Sequence, residues 1–157
     1  MFDTTQLPWQ QENIIIQTQK ILHSYQHWTG QSLFDLSVAP QELAQLLFEA
    51  PFAVVSHGTE VDPIFNYGNQ TALKLWELSW EEFTKMPSRK SVPEAIQQER
   101  NNLLAEATTK GFVDNYSGIR ISSTGKRFFI ECTLWNLLDD NNQKCGQAAL
   151  FFKWKYV

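Results

Sequence analysis

Apolar positions recur at steps of three and four residues near the start of the chain and at steps of two near its end. From Gln10 to Trp28, the residues Ile14, Thr18, Ile21, Tyr25 and Trp28 form one stripe, widened by Ile15 and Leu22 and followed by Gly30. That spacing predicts a helix with one buried side and a glycine stop. A connector, Gln31 to Ala39, leads to Pro40, which suits the first turn of a short helix running to Phe48. Pro51 ends that element, and Phe52 to Ser56 reads as an apolar strand. His57-Gly58 and Asp62-Pro63 bracket a turn before a second strand, Ile64–Tyr67.

Asn69 stands where it can cap a helix over Gln70–Leu78. Ser79-Trp80-Glu81-Glu82 and Ser91-Val92-Pro93-Glu94 each place a glutamate three residues after a serine, the pattern of a capping box. The second box predicts a long helix to Lys110, with Ile96, Leu103, Leu104 and Ala107 on one side and Gly111 as its stop. Strands follow at Phe112–Ser122, Lys126–Leu138 and Lys144–Tyr156, separated by the turns Ser123-Thr124-Gly125 and Asp139–Gln143. In the last strand Ala148, Leu150, Phe152, Trp154 and Tyr156 take one face, and Ala149 and Phe151 the other. A strand apolar on both faces is central and covered twice. The long helix region covers one face, which leaves the N-terminal helices for the other.

Strand, strand, helices and then three strands is the order of a PAS-type sensory domain. The segments SHGTEVDPIFNYGN, PSRKS, GFVDNYSGIRIS and TGKRFFIECTLWNL resemble the MEKHLA family, a PAS-like module, from about Phe48 to the end of the chain. Of the family's two settings, alone in bacteria or at the C-terminus of plant class III homeodomain–leucine zipper proteins, the chain resembles the stand-alone bacterial type. The resemblance implies an α+β fold: a PAS-like five-stranded antiparallel-type sheet with helices on its concave side and an N-terminal helical extension. Residues 1–48 are then the extension, packing on the same domain, and residues 49–157 the PAS-like domain. No internal repeat or linker divides the chain.

Composition narrows the function classes. A chain of 157 residues, 43% hydrophobic and 19% charged, is an ordinary globular domain. A net charge of −4, with Arg89-Lys90 as the only basic cluster, speaks against a nucleic-acid surface. No window approaches the ~18 apolar residues of a membrane helix. The start, MFDTTQLPWQQEN, lacks the basic and apolar regions of a signal peptide. With two cysteines the cytoplasm is the expected compartment. Hairpin pairing puts Cys132 opposite about Phe151, roughly 20 Å from Cys145 at the rise of a strand, so no disulfide is expected.

Few residues suggest chemistry. His23 and His27 are four apart on one helix, but the sequence HSYQH lacks the glutamate of HExxH and a third ligand, so they read as exposed histidines. His57, close to Glu60 and Asp62, has the makings of a general base. In this family-like segment it reads as structural or ligand-orienting. Thr124-Gly125-Lys126 is a hairpin turn, since the phosphate-loop pattern fails at Arg120 and Arg127. Trp135-Asn136 on a strand suits a pocket that fixes a planar, polar-edged ligand. In PAS-like domains the loop holding Arg89 closes over the cavity, so Arg89 reads as a lid or as one half of a surface ion pair.

The resemblance also frames the cofactors. Flavin-adduct sensors use a cysteine in that loop, and Pro87–Ser91 has none; haem sensors take a histidine from the long helix, and residues 92–110 have none. No cofactor or metal is therefore expected. The reading is a non-catalytic, ligand-binding sensory module that signals through a partner or a homodimer formed by the N-terminal helix. Candidate ligand residues are His57, Arg89, Tyr116, Arg120, Thr133 and Trp135, although strand alternation turns some of them outward. The competing readings are a protein-interaction domain filled by its own aromatics and a small cavity enzyme using His57 and Asp62.

Overall fold

The stripe read from Gln10 to Trp28 forms α1, Glu12–Thr29, in the computed structural model, which describes residues 7–157. The start of the chain, read above for a signal peptide, lies partly outside the described residues. Gly30 closes α1 at φ 73°, a left-handed conformation that costs glycine little. Pro40 opens α2, Pro40–Phe48. Then come β1 (Ala53–His57), β2 (Phe65–Gly68), α3 (Gln70–Trp76), α4 (Trp80–Phe83) and α5 (Gln97–Lys110). The chain finishes with β3 (Phe112–Ile121), β4 (Arg127–Leu138), β5 (Lys144–Phe151) and β6 (Trp154–Tyr156).

All pairings are antiparallel, and the sheet order is β2-β1-β5-β4-β3. The doubly apolar strand is central, as its pattern requires. The expected single strand Lys144–Tyr156 is nevertheless broken. Thr133 pairs with Leu150, but Ile130 pairs with Trp154, so four steps on one side match three on the other. The extra residue is a bulge at Phe152, which is left 59% exposed. Beyond it the alternation flips, and Trp154 packs on the face of Phe151 rather than that of Leu150.

Helices cover both faces. On one, α1 and α2 bring Ile14, Ile21, Leu22, Tyr25, Leu43 and Leu47 against Val54, Tyr67, Trp135, Leu137, Ala148 and Leu150. On the other, α3 and α4 bring Ala72, Leu75, Trp76 and Phe83 against Val55, Phe128, Ile130, Cys132 and Phe151. The helix α5 adds Leu103 and Ala107 over Leu134.

The box at Ser79 forms as read: its hydroxyl accepts from Glu82 N at 3.1 Å, and Ser79 N donates to the Glu82 carboxylate at 3.0 Å. The box at Ser91 does not. Ser91 lies buried in a 3-10 turn, Ser88–Ser91, where its hydroxyl donates to Ser88 O at 2.6 Å. A further turn, Glu94–Ile96, intervenes, and α5 begins only at Gln97. Cys132 and Cys145 are free thiols.

Candidate functional site

The register of β3 against β4 decides which strand residues look into the domain. Tyr116 lies opposite Cys132, Gly118 opposite Ile130 and Arg120 opposite Phe128. These six share the face covered by α3, α4 and α5. Between that face and the helices is a small cavity of about 60 Å³. Val55, Phe65, Ile130, Ala149 and Phe151 supply its apolar walls. Trp76, His57, Arg120, Ser91 and Cys132 add polar or polarisable atoms.

His57 ends β1 and is 9% exposed. Its Nδ1 lies 2.9 Å from Gly58 O, which can only accept, so Nδ1 carries the proton and donates. Nε2 has no hydrogen-bond partner. Burial lowers the pKa of the ring, the Gly58 bond opposes this, and the Arg100 and Lys144 charges add to it against Glu60. Unfolding exposes the ring and restores a value near 6.5, so the unfolded chain binds more protons. His57 thus contributes stability that is complete above about 6.5 and is lost as pH falls toward the depressed folded value. Urea midpoints measured from pH 7.5 to 5 are expected to fall less steeply in His57→Gln than in the parent. Parallel profiles would show that His57 does not set this dependence.

Arg120 is 8% exposed and lies over the Tyr116 ring at 5.7 Å from its centroid. One of its N–H groups donates to Ile119 O at 2.9 Å. Between the two residues stands Gly118. A Cβ built there would sit 2.9 Å from the Tyr116 hydroxyl and 3.1 Å from Arg120 Nη1, so the missing side chain lets both polar groups settle over the Gly118 backbone and converge on one spot.

The other sheet candidates are elsewhere. Trp135 is fully buried on the opposite face, edge-on to Tyr25 at 5.0 Å, with its indole N–H donating to Ile21 O at 3.3 Å. It is core beneath α1 and lines no cavity on the α3–α5 side. Thr133 shares that opposite face and donates to Asp114 Oδ1 at 2.7 Å. Asn136 is spent on structure: its amide donates to Thr108 O and accepts from Gln147 Nε2. Arg89 turns outward and pairs with Asp62 at 3.1 Å, with half of each side chain exposed. His57 shares no hydrogen bond with Asp62 or Glu60, whose Oε1 accepts from Ile64 N. Thr124-Gly125-Lys126 is the β3–β4 turn, tied by Thr124 and Lys126 to the Glu77 carboxylate. His23 and His27 line an open surface groove with Asp139 and Asp140, and no group of metal-binding residues forms among the described residues.

Three contributors escaped the sequence reading. Trp76 roofs the cavity from the end of α3, with its indole N–H unpartnered. Cys132 looks in from β4, its thiol pushed by burial up to about 11. Arg100, also 8% exposed, donates to the Ser88 hydroxyl and lies near enough to Arg120 and His57 for their charges to interact. Only the pairing with Tyr116 reveals Cys132; for Trp76 and Arg100 the packing of separate helices is needed.

The MEKHLA domain matches residues 15–156, a longer stretch than the motifs alone cover. Homeobox-leucine zipper protein ATHB-9 of Arabidopsis thaliana is 25% identical over 143 residues, which is 87% of this chain and 17% of that protein. Homeobox-leucine zipper protein HOX9 of Oryza sativa subsp. indica is 26% identical over 140 residues, 87% of this chain and 16% of that protein. The chain thus spans about a sixth of the length of these relatives. Being plant proteins, they lend no support to a stand-alone bacterial type. Among solved structures, a PAS domain from Colwellia psychrerythraea superposes with a TM-score of 0.63 at 14% identity, covering 74% of this chain and 95% of that one. An RNA-binding light-oxygen-voltage receptor gives 0.64 at 16% identity, covering 76% of this chain and 33% of the receptor. At such identities the likeness concerns the fold.

Proposed function

The chain belongs to the MEKHLA domain family, and from that premise we propose that it is a non-catalytic sensory or regulatory module that binds a small molecule between the sheet and α3–α5. The observation that carries this reading is the cavity itself. It is walled by apolar side chains, yet His57 Nε2, the Trp76 indole N–H and the Tyr116 hydroxyl are buried in the same layer without partners. Buried polar groups are normally satisfied, and a site awaiting a ligand explains several together.

The ligand is colourless in this proposal. The segment Pro87–Ser91 has no thiol and α5 no histidine, and about 60 Å³ is far too little for a flavin or a haem. No helix among the described residues is long and apolar enough to cross a membrane. A cytoplasmic setting, the absence of nucleic-acid partners and the division into an extension (1–48) and a sensory domain (49–157) are parts of the same proposal. So is a second copy meeting the outer side of α1, where Ile16 is 47% exposed.

One observation favours the interaction-module reading. Phe34, Phe52 and the bulged Phe152 make an aromatic patch at the surface, with centroids 6.2 and 5.0 Å apart. The enzyme reading finds no such support, because Asp62 is engaged by Arg89 at the surface.

Native mass spectrometry of protein purified without added ligand, followed by a broad thermal-shift screen, tests the proposal. A bound small mass, or a compound class that raises the melting temperature, is expected. A blank screen, or a haem or flavin absorbance, would overturn the ligand or the cofactor part respectively.

A further inference from the structure

We propose that the ligand is a small organic monocarboxylate, its carboxylate held by the Arg120 guanidinium and the Tyr116 hydroxyl in the positive field of Arg100. This deepens the sensory reading above and rests on it. Three ion pairs form among the described residues, Arg89–Asp62, Lys110–Glu106 and Lys126–Glu77. Neither Arg100 nor Arg120 belongs to one, although each is only 8% exposed. A guanidinium withdrawn from water without an anion is costly, and a second one nearby adds repulsion. Burial, and then the charge of Arg120, push Arg100 below its ordinary pKa range, with Asp62 opposing and Arg89 adding to the shift. Around this cavity the protein has gathered like charge without the counter-charge that would pair with it.

Donor chemistry points the same way. A guanidinium has five N–H donors, and within the chain Arg120 directs one of them at a backbone carbonyl. The Tyr116 hydroxyl and the Trp76 indole N–H are unpartnered. All three can donate, and an acceptor would satisfy them together; His57 Nε2, the other unpartnered atom of the layer, is itself an acceptor and takes no part in holding the anion. Gly118, by lacking a side chain, lets Arg120 Nη1 and the Tyr116 hydroxyl come together over its backbone, where one acceptor can meet both. Val55, Phe65, Ile130, Ala149 and Phe151 give the cavity an apolar side, with His57, Ser91 and Cys132 completing its lining. An inorganic anion would leave that apolar side bare, whereas a short hydrocarbon tail covers it. A volume of about 60 Å³ restricts that tail to a few carbon atoms.

The full chain is to be dialysed into a carboxylate-free buffer and titrated with formate, acetate, propionate and butyrate. Propionamide serves as the uncharged match, and sodium nitrate controls for ionic strength. Thermal shift and calorimetry are expected to show saturable binding of one or more carboxylates and none of propionamide or nitrate. Arg120→Met should weaken binding by roughly tenfold or more, the scale of a lost charge-assisted hydrogen bond. The ligand-free melting temperature of that variant should be equal or higher, because an unpaired buried charge has gone. A purely structural arginine would instead lower it. Should Arg120→Met fail to fold, Gly118→Ala, which puts a methyl between the two polar groups, is expected to block binding in a folded protein.

Equal binding of propionamide and propionate would overturn the anion assignment and leave the sensory reading standing. Binding of nitrate alone would overturn the organic part. No response to any carboxylate would overturn the inference. The sensory reading falls with it only where the broad screen is blank as well.

Discussion

Replacing Asn69 with alanine is expected to destabilise the protein by about 3–4 kcal/mol, among the largest effects of any single polar residue here. Asn69 is fully buried at the junction of α2, β1 and α3. Its Oδ1 accepts from Val54 N at 3.1 Å and from Ala72 N at 3.2 Å. Its Nδ2 donates to Leu47 O at 3.0 Å and to Phe52 O at 2.7 Å. One side chain thus caps α3, holds the first strand and anchors the end of α2. Alanine leaves four backbone groups short of a partner where water does not reach readily, and each such group costs about 1–3 kcal/mol when wholly unsatisfied. Some relax onto other partners, as Leu47 O already accepts from Ala50 N, which brings the total to the bottom of that sum or just below it.

Two further substitutions separate capping from stapling. Serine keeps an oxygen for Ala72 N and should recover about 1 kcal/mol of the loss, the worth of an N-cap. Aspartate keeps both acceptor bonds but turns a carboxylate oxygen toward two carbonyls, and should be at least as damaging as alanine. Urea denaturation at neutral pH reads all three. A loss below 1 kcal/mol for Asn69→Ala would mean that the backbone groups find new partners and that the staple is redundant.

Asn69 was legible from sequence as a helix cap, but its other three bonds were not, because they reach residues from Leu47 to Val54 on separate elements. The same division runs through the molecule. Local signals carried far: the stripe of α1, the glycine stops, the box at Ser79 and the central position of β5 follow from spacing and propensity. Signals that depended on an unbroken period failed where the period breaks. Trp154 continues the alternation of Leu150 in sequence, yet one bulged residue sends it to the opposite face. Ser91 and Glu94 have the spacing of a cap, but Ser91 is drawn into a turn beside Arg100.

For the candidate site, pairs could be read but not sides. Tyr116 and Arg120 share one parity, and Thr133 and Trp135 share another. Only the register of Tyr116 against Cys132 shows that the first pair enters the cavity layer and the second faces α1. Arg89, in the loop expected to close over the site, spends its charge outside on Asp62. The buried guanidiniums are Arg120 and the unheralded Arg100. Arg100 falls on the side of the long helix that carries Ile96, Leu103 and Ala107, but nothing local marks a charged residue there as buried, and the turn it meets lies 12 residues away in sequence.

Removing residues 1–30 should have the largest effect of all: the remaining chain is expected not to persist as a soluble, folded monomer. The helix α1 is one of the two helices over the face formed by Trp135, Leu137, Ala148 and Leu150. It contributes Ile14, Ile21, Leu22 and Tyr25, all at most 8% exposed, together with Trp28, whose indole N–H donates to Asn136 O at 2.9 Å. Each such side chain is worth roughly 1.5–3 kcal/mol when buried, on the order of 10 kcal/mol together, which matches the whole stability of an ordinary domain. Two strand groups would also lose partners, since Leu138 N donates to Ser24 Oγ at 2.9 Å and the Trp135 indole to Ile21 O. The helix α2 cannot substitute, because its buried residues Leu43 and Leu47 already pack in the same cluster. Soluble yield and size-exclusion mass of residues 31–157 beside the full chain measure the effect. Aggregation, or association that covers the bared sheet, is expected. A monomeric truncated protein with an unchanged melting temperature would show that α1 adds nothing to the core and that the sheet needs cover on one face only.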